Sequence, residues 1–260
     1  MMMIDKLAYS SRLRCKSPYL KSALAVGTLL ICVAARSFIV SFIVLAVMGC
    51  LTVFYSRASL SHYGRLMAAP LAFLAAGTIA IIVNVSEAPM DLVSIAVAGK
   101  YLAISQRSLL YGARLIAVSL AAVSCLYFLT LTTPMPDLIA VLRRIGCPWL
   151  IIELMIMIYR FIFVLLDMAS AIMISQSCRL GNRSPRSAIK GMGLMLSVLF
   201  MRAMAKSSLL YDAMESRCYD GQIRVLGQSF MSTNGEKALT ALFLAGLLAV
   251  AVLCRLAGGI

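Results

Sequence analysis

The chain has 260 residues, of which 62% are hydrophobic and 13% charged, and its mean hydropathy is +0.95. A soluble globular domain carries about half apolar and a quarter charged residues, so this composition excludes that class and predicts an all-α polytopic membrane protein. The formal net charge is +14. Aromatic residues do not alternate with the basic ones, so the charge indicates loops that face anionic lipid, and nucleic acid is not an expected partner.

Five apolar segments are long enough to cross a bilayer as helices, and a sixth is possible. The five cover residues 20–35, 38–55, 66–85, 110–131 and 238–256. The tail before the first span and the loop after the second are basic, which places both in the cytoplasm. The tail has no apolar core followed by a cleavage site, so it is not a signal peptide. We therefore expect a multi-pass protein of the cell membrane, inner or plasma, with residues 1–131 forming the N-terminal membrane domain.

The possible sixth span, residues 149–175, carries Glu153, Arg160 and Asp167 at intervals of seven residues. On a helix these three fall on nearly one line. A charge at the bilayer centre costs about 3 kcal/mol or more unless it is paired or hydrated. Two interpretations stay open: a membrane span with a buried polar seam, or a tilted helix at the cytoplasmic boundary, which we favour. In either case Arg160 is expected to satisfy Glu153 or Asp167, directly or through a partner or water.

Residues 132–237 are expected to form a cytoplasmic or interfacial module of amphipathic helices, and residues 238–260 a C-terminal membrane helix. The segment 191–217 predicts one long amphipathic helix. The preceding "GNRSPRS", with Pro185, is typical of a turn, and "CYDGQIRVLGQ" after the helix is typical of a loop.

Charges concentrate where the helix 191–217 ends, in "YDAMESRCYDG". Arg217 has two interpretations there. It can stabilise the helix dipole as a solvated cap, or it can dock into a partner through its planar guanidinium. A second small-residue–Arg pair, Cys178-Arg179, ends the preceding apolar helix, 38 residues before Ser216-Arg217. Two similar tips indicate two similar binding sites, as in a pair of related partner subunits.

Several segments, in this order, carry a family resemblance. They are "IDKLAYSSRLRCKSPYLK", "PMPDLIAVLRRIGCPW", "YRFIFVLLDM", "SCRLGNRS" and "AMESRCYDG". Over nearly its whole length the chain resembles the transmembrane (T) component of energy-coupling-factor ABC transporters, in the cobalt/nickel-type CbiQ branch. Arg179 and Arg217 match the arginines of the two Ala-Arg-Gly signatures of that family. The departures are Ser17 for Asp, Tyr19 for Arg, Cys178 and Ser216 for Ala, and Leu180 and Cys218 for Gly.

The resemblance implies a coupling subunit that links two ATP-binding cassette ATPases to a substrate-binding, metal-binding membrane subunit of the S type. It implies that Cys178, Arg179, Leu180, Ser216, Arg217 and Cys218 contact the ATPases. Cobalt or nickel would be the cargo. The movement of the ATPases would pass through the coupling helices into the membrane by rigid-body motion.

Other functional classes find less support in the sequence. The chain has no G-x-x-x-x-G-K-[ST] motif for ATP hydrolysis, and no H-E-x-x-H or G-x-S-x-G motif for an intramembrane enzyme. His62 has no ligand partner at metal-binding spacing. We therefore expect no catalytic residue, cofactor or metal site. A stand-alone secondary transporter or channel stays open as the alternative, and the polar seam is its best support.

Overall fold

The computed structural model describes residues 8–11, 13–14, 16–56, 60–86, 93–97, 100–104, 106–181, 183–221, 223 and 233–257. Within these ranges the protein is built almost entirely of helices. The helices are α1 Pro18–Ala35, α2 Phe38–Ser56, α3 Leu60–Ile82, α4 Gln106–Thr132, α5 Met135–Ile145, α6 Trp149–Cys178, α7 Pro185–Glu215 and α8 Asn234–Ala257. Six of the described helices, namely α1, α2, α4, α6, α7 and α8, are long and apolar enough to cross a membrane. The predicted class of all-α polytopic membrane protein is confirmed.

The structure corrects the third predicted span, residues 66–85. Helix α3 already ends at Ile82 and its apolar stretch covers only Tyr63–Ile79. Three short antiparallel strands follow it, in the order β1-β3-β2: β1 Val83–Ser86, β2 Val93–Val97 and β3 Lys100–Ile104. These segments are rich in β-branched residues, which favour strands over helices, although most of β1 falls within the predicted span.

One compact unit comprises residues 2–138 and 229–260. In it α4 packs against α1, α2 and α3, and α8 packs mainly against α1. The core consists of apolar side chains, mostly from α1, α2, α4 and α8, among them Cys32, Val44, Met48 and Phe128. Buried hydroxyls inside it bond to carbonyls of their own helices, as Thr52 does to Met48 at 2.6 Å. Internal pairing of this kind is what a helix needs where water is absent.

Lys21 closes one end of this helical bundle. Its side chain is buried, and its Nζ donates to the carbonyls of Leu13 at 3.0 Å and Thr132 at 3.2 Å. Thr132 is the last residue of α4, so an ammonium at this point also meets the negative end of the helix dipole. Burial raises the pKa of the Asp137 carboxyl in α5, while Lys21 and Arg14 lower it. The lysine thus joins the N-terminal segment, α1 and the end of α4.

The second compact unit, Ile139–Gln228, contains α6 and α7. These helices run antiparallel, because the end of α6 contacts the start of α7. The Gln176 Nε2 donates to the Gly191 carbonyl at 3.0 Å. Only Ile152 and Glu153 of α6 are buried, and none of the 31 residues of α7 is. Helix α7 begins at Pro185, where we had predicted a turn. Proline suits the first turn, and the Ser184 hydroxyl caps the helix by accepting from the Ser187 N–H at 3.2 Å.

Candidate docking tips of the second unit

Helix α6 ends in a tip that we define as residues 177–181. The N–H of Gly181 donates to the carbonyl of Gln176 at 2.9 Å, and the N–H of Leu180 donates to that of Ser177 at 3.1 Å. This pair of bonds is a Schellman motif, which satisfies carbonyls that a helix end leaves without partners. Arg179 is the C-cap residue of α6.

Helix α7 ends in a second tip, residues 215–219, with the same bonding. The N–H of Tyr219 donates to the carbonyl of Met214 at 3.1 Å, and the N–H of Cys218 donates to that of Glu215 at 3.0 Å. Arg217 therefore occupies the position in this motif that Arg179 occupies in the first. The similarity predicted from two short sequences extends to the backbone hydrogen bonds.

The residue after each arginine lies in the left-handed region, with φ of 55° at Leu180 and 56° at Cys218. This region costs an L-residue with a side chain about 1–2 kcal/mol, and glycine adopts it freely. Helix α5 shows the unstrained version: it ends in the same two-bond pattern, with Gly146 at the corresponding position and φ of 95°. The two sites at which the chain lacks the glycine of Ala-Arg-Gly are therefore left-handed positions that favour glycine.

Both tip arginines are exposed, and so is Leu180, with 70% of its surface accessible. Among the described residues, neither Arg179 nor Arg217 forms an ion pair with an acidic side chain. Each guanidinium can therefore meet a carboxylate or carbonyl of another molecule without breaking an internal ion pair. Such charge-assisted, two-pronged hydrogen bonds are among the strong polar contacts in proteins.

A cavity of about 370 Å³ lies beside the first tip, between α6 and α7. Arg179 and Arg202 both line it, together with Gln176 and apolar side chains of the two helices. Two further bonds fix the local geometry: Gln176 Nε2 donates to the Gly191 carbonyl, and Ser187 Oγ donates to the Gly181 carbonyl at 2.7 Å. The first tip thus lies at a braced helical hairpin with a basic groove next to it.

Side chains from the start of α6 hold the segment that follows the second tip. The Tyr219 hydroxyl donates to Glu153 Oε1, and Trp149 Nε1 donates to the Gly221 carbonyl at 3.2 Å. The Arg143 guanidinium lies over the Trp149 ring, 4.5 Å from its centre. The hydrogen bond to Glu153, followed by desolvation, raises the pKa of Tyr219 to about 12. The second tip is therefore tethered to the start of α6.

The structure treats the three residues of the predicted seam, Glu153, Arg160 and Asp167, differently, and the pairing of Arg160 through a partner or water stays a prediction. Only Glu153 is buried, with 5% of its surface exposed, whereas Arg160 and Asp167 are exposed. Within the described part of the chain, no direct ion pair joins Arg160 to either carboxylate. Seven residues span about 10.5 Å of helix, whereas side chains pair across three or four positions. The partner of Glu153 is Tyr219, 66 positions away, and no local sequence pattern indicates such a pair.

The two tips lie far apart, because α7 separates them. Its 31 residues correspond to about 45 Å of helix at 1.5 Å per residue. Arg179 and Arg217 therefore cannot contribute to one compact binding site. No group of three or more His, Cys, Asp or Glu side chains within the described ranges could hold a metal ion, and the His62 side chain lies outside them.

Comparison with known families decides which family these tips belong to. The family model for CbiQ, described as a cobalt transport protein, matches residues 10–227. This chain belongs to the CbiQ family. The CbiQ match covers both tips and the described parts of every helix except α8. CbiQ membership and the six apolar helices make the chain a multi-pass membrane component of cobalt transport.

Individual relatives agree with the family match. The CbiQ of Salmonella typhimurium is 28% identical over 223 residues, which are 85% of this chain and 99% of that protein. An uncharacterized protein of Methanocaldococcus jannaschii, MJ1089, is 32% identical over 224 residues, or 86% of this chain and 82% of that protein. A putative fused cobalt transport protein, CbiMQ, of Methanocorpusculum labreanum is 30% identical over 84% of this chain, which spans 36% of that longer protein.

Proposed function

We propose that this chain is the coupling subunit of an energy-coupling-factor ABC transporter that takes up cobalt or nickel. It joins two ATPase subunits to a substrate-binding membrane subunit and does not itself hydrolyse ATP. The observation that carries the proposal is the pair of matching tips. Each has an exposed arginine at the same position of a Schellman motif, and the two backbone bonds that define the motif are the same in both.

The separation of the tips supports two ATPase sockets. Two identical backbone motifs about 45 Å apart fit two copies, or two close relatives, of one partner fold better than one site on a single partner. Each arginine would insert as a charge-assisted anchor at the centre of its interface. Because α6 and α7 connect the tips, a change in the spacing of the ATPases would act directly on these helices as packed, rigid elements.

The exposed apolar surface of α6 and α7 supports a partner within the membrane. Large side chains such as Ile174, Ile189, Phe200 and Met201 are 65% to 74% exposed. A surface of this kind needs lipid or another apolar protein surface to cover it. The relative from Methanocorpusculum labreanum supports the second possibility in part, because its name describes it as a putative fused cobalt transport protein.

The ends of the first unit support the proposed orientation, with the N-terminus in the cytoplasm. Lys21 binds the end of α4, and Lys16 pairs with Glu236 at the start of α8 at 3.0 Å. The N-terminal tail, the end of α4 and the start of α8 thus share one end of the bundle. The chain between the last two elements then crosses the membrane an even number of times, and docking of both tips on one side requires that α6 and α7 do not cross it. The basic residues of the N-terminal tail favour the cytoplasmic side for that end.

The test is co-purification of the ATPases with Arg179→Ala, Arg217→Ala and the double variant, followed by ATP-driven uptake in vesicles. Each single change should weaken assembly, and the double change should abolish uptake while the subunit stays inserted and folded. Removing an exposed arginine deletes a contact without opening a cavity. Lysine at either position should restore assembly poorly, since an ammonium lacks the planar fork.

The matched control is Arg183→Ala with Arg186→Ala, which removes two exposed arginines next to the first tip. This control should leave assembly intact. A double tip variant that still captures both ATPases and drives uptake would contradict the proposal and would favour Arg217 as a simple helix cap. Uptake by the purified chain alone would favour the stand-alone transporter.

A further inference from the structure

A cavity of about 850 Å³ opens in the first unit, at the end of the bundle opposite Lys21. It is formed where α1 ends, α2 begins, α4 begins and α8 ends. We call it the arginine groove. Its lining residues are Val33, Ala34, Ala35, Arg36, Ser37, Phe38, Ile39, Tyr111, Arg114, Leu115, Val118, Ser119, Ala122, Cys254 and Arg255.

Three positive charges and no carboxylate line the described part of this groove. Arg114 is held in place, because its Nε donates to the carbonyl of Arg36. Arg36 itself ends α1 in the left-handed region, with φ of 45°, and its N–H donates to the Cys32 carbonyl at 3.3 Å. Arg255 reaches the same groove from the last turn of α8. The backbone thus gathers three cations from three different helices.

Their position in the membrane makes this charge unusual. With the N-terminus in the cytoplasm, this end of the bundle faces outwards, where the positive-inside rule gives no reason for three arginines. Three cations also repel a divalent metal ion, so the groove is not an entry site for cobalt or nickel. A bound anion would offset the repulsion among the three arginines.

The walls of the groove indicate which anion. Val33, Phe38 and Ile39 are 45% to 60% exposed beside the arginines, and Leu115 and Val118 continue the apolar lining along α4. A small soluble anion gains nothing from contact with these apolar side chains, whereas the acyl chains of a lipid can pack against them. The first turn of α2 begins at Phe38, and a helix N-terminus adds a favourable site for a phosphate.

We propose that the arginine groove binds one anionic phospholipid of the outer leaflet. The guanidinium groups hold its phosphate, and its acyl chains lie along the α1, α2 and α4 walls. Basic pockets between membrane helices are recognised sites for anionic headgroups. The bound lipid would neutralise the charge that α1, α4 and α8 bring together at this end.

Native mass spectrometry of the full-length chain tests this. The chain is released from detergent after incubation with phosphatidylglycerol, or with phosphatidylcholine that has the same acyl chains. The wild type should retain phosphatidylglycerol and release phosphatidylcholine. Arg36→Gln with Arg255→Gln should weaken retention about 25-fold, since a basic residue near an anionic surface contributes about 5-fold. Arg114 is kept in this variant because it also binds the Arg36 carbonyl.

Arg183→Gln with Arg186→Gln removes the same charge from the second unit and should retain phosphatidylglycerol like the wild type. If the double groove variant does not fold, Arg255→Gln alone, at an exposed position, should lose about 5-fold. Equal retention of the two lipids, or full retention by the groove variants, would overturn the proposal. So would displacement of phosphatidylglycerol by millimolar inorganic phosphate, since the groove would then be a site for a free anion.

Discussion

The two compact units bury their side chains to very different degrees. In the first, α1, α2 and α4 surround a core in which Cys32, Val44 and Met48 are completely inaccessible. In the second, α7 buries no residue over 31 positions, although its composition is apolar enough for a membrane span. Apolar helix surface therefore serves two purposes. The first unit uses it for internal packing, and the second presents it to lipid or to another subunit.

The largest stability difference between the units should come from one pair of methionines. Met48→Ala opens a cavity in the core of the first unit and should cost about 2–5 kcal/mol. Met201→Ala, at a position of α7 that is 69% exposed, should cost less than about 0.5 kcal/mol. Thermal unfolding of both variants in the same detergent measures the difference. Equal losses would show that α7 is packed as tightly as the bundle.

Lys21 offers a second test of how the first unit is closed. Lys21→Met leaves the carbonyls of Leu13 and Thr132 without their buried donor, and should cost about 2 kcal/mol or more. Lys16→Met removes a partner of the surface pair with Glu236 and should cost less than about 1 kcal/mol. Denaturant or thermal unfolding compares the two. A neutral Lys21→Met would mean that the N-terminal segment contributes nothing to the bundle.

Sequence reasoning worked where one local signal decides the structure. Apolar runs located α1, α2, α4 and α8 to within a few residues, because a bilayer requires continuous helix over that length. It gave no signal where distant residues decide. Periodicity placed Glu153 on one line with Arg160, whereas the hydrogen-bond donor to Glu153, Tyr219, comes from the end of the next helix.

Two local features of the sequence were also misinterpreted or left unexplained. Pro185 was assigned to a turn, although proline after a capping serine starts a helix. The motif comparison marked Leu180 and Cys218 as departures from glycine. Only the backbone shows that both occupy left-handed positions.

The tips of the second unit should respond to glycine in the opposite way from ordinary helix positions. Leu180→Gly and Cys218→Gly should each stabilise the chain by about 0.5–1 kcal/mol, because glycine adopts their left-handed conformation freely. Gly146→Ala at the end of α5 should cost about 1 kcal/mol for the same reason. Thermal unfolding checks all three. Destabilisation by both glycines would show that the side chains, and not the backbone conformation, decide these positions.

The tether at the second tip should show itself through pH. The pKa of Tyr219 is raised to about 12, above the ordinary tyrosine value of 10.0, so the folded state holds this proton more tightly than the unfolded state. The stabilisation by its bond to Glu153 is therefore complete below about pH 10 and is lost as the pH rises towards 12. Tyr219→Phe should lack this alkaline component in its melting curves. Parallel curves for wild type and variant would contradict the bond.

Photo-crosslinking from the tips tests the central claim most directly, namely that they dock into two ATPase subunits. Cys178 and Cys218 are both exposed. Cys178 directly precedes Arg179, and Cys218 directly follows Arg217. Each natural thiol can therefore carry a benzophenone label in a chain without other cysteines. In the assembled transporter, either label alone should yield one adduct with an ATPase. Both labels together should yield an adduct that contains two ATPases. Labels that react only with lipid or with this chain, or that never capture more than one ATPase, would contradict the account.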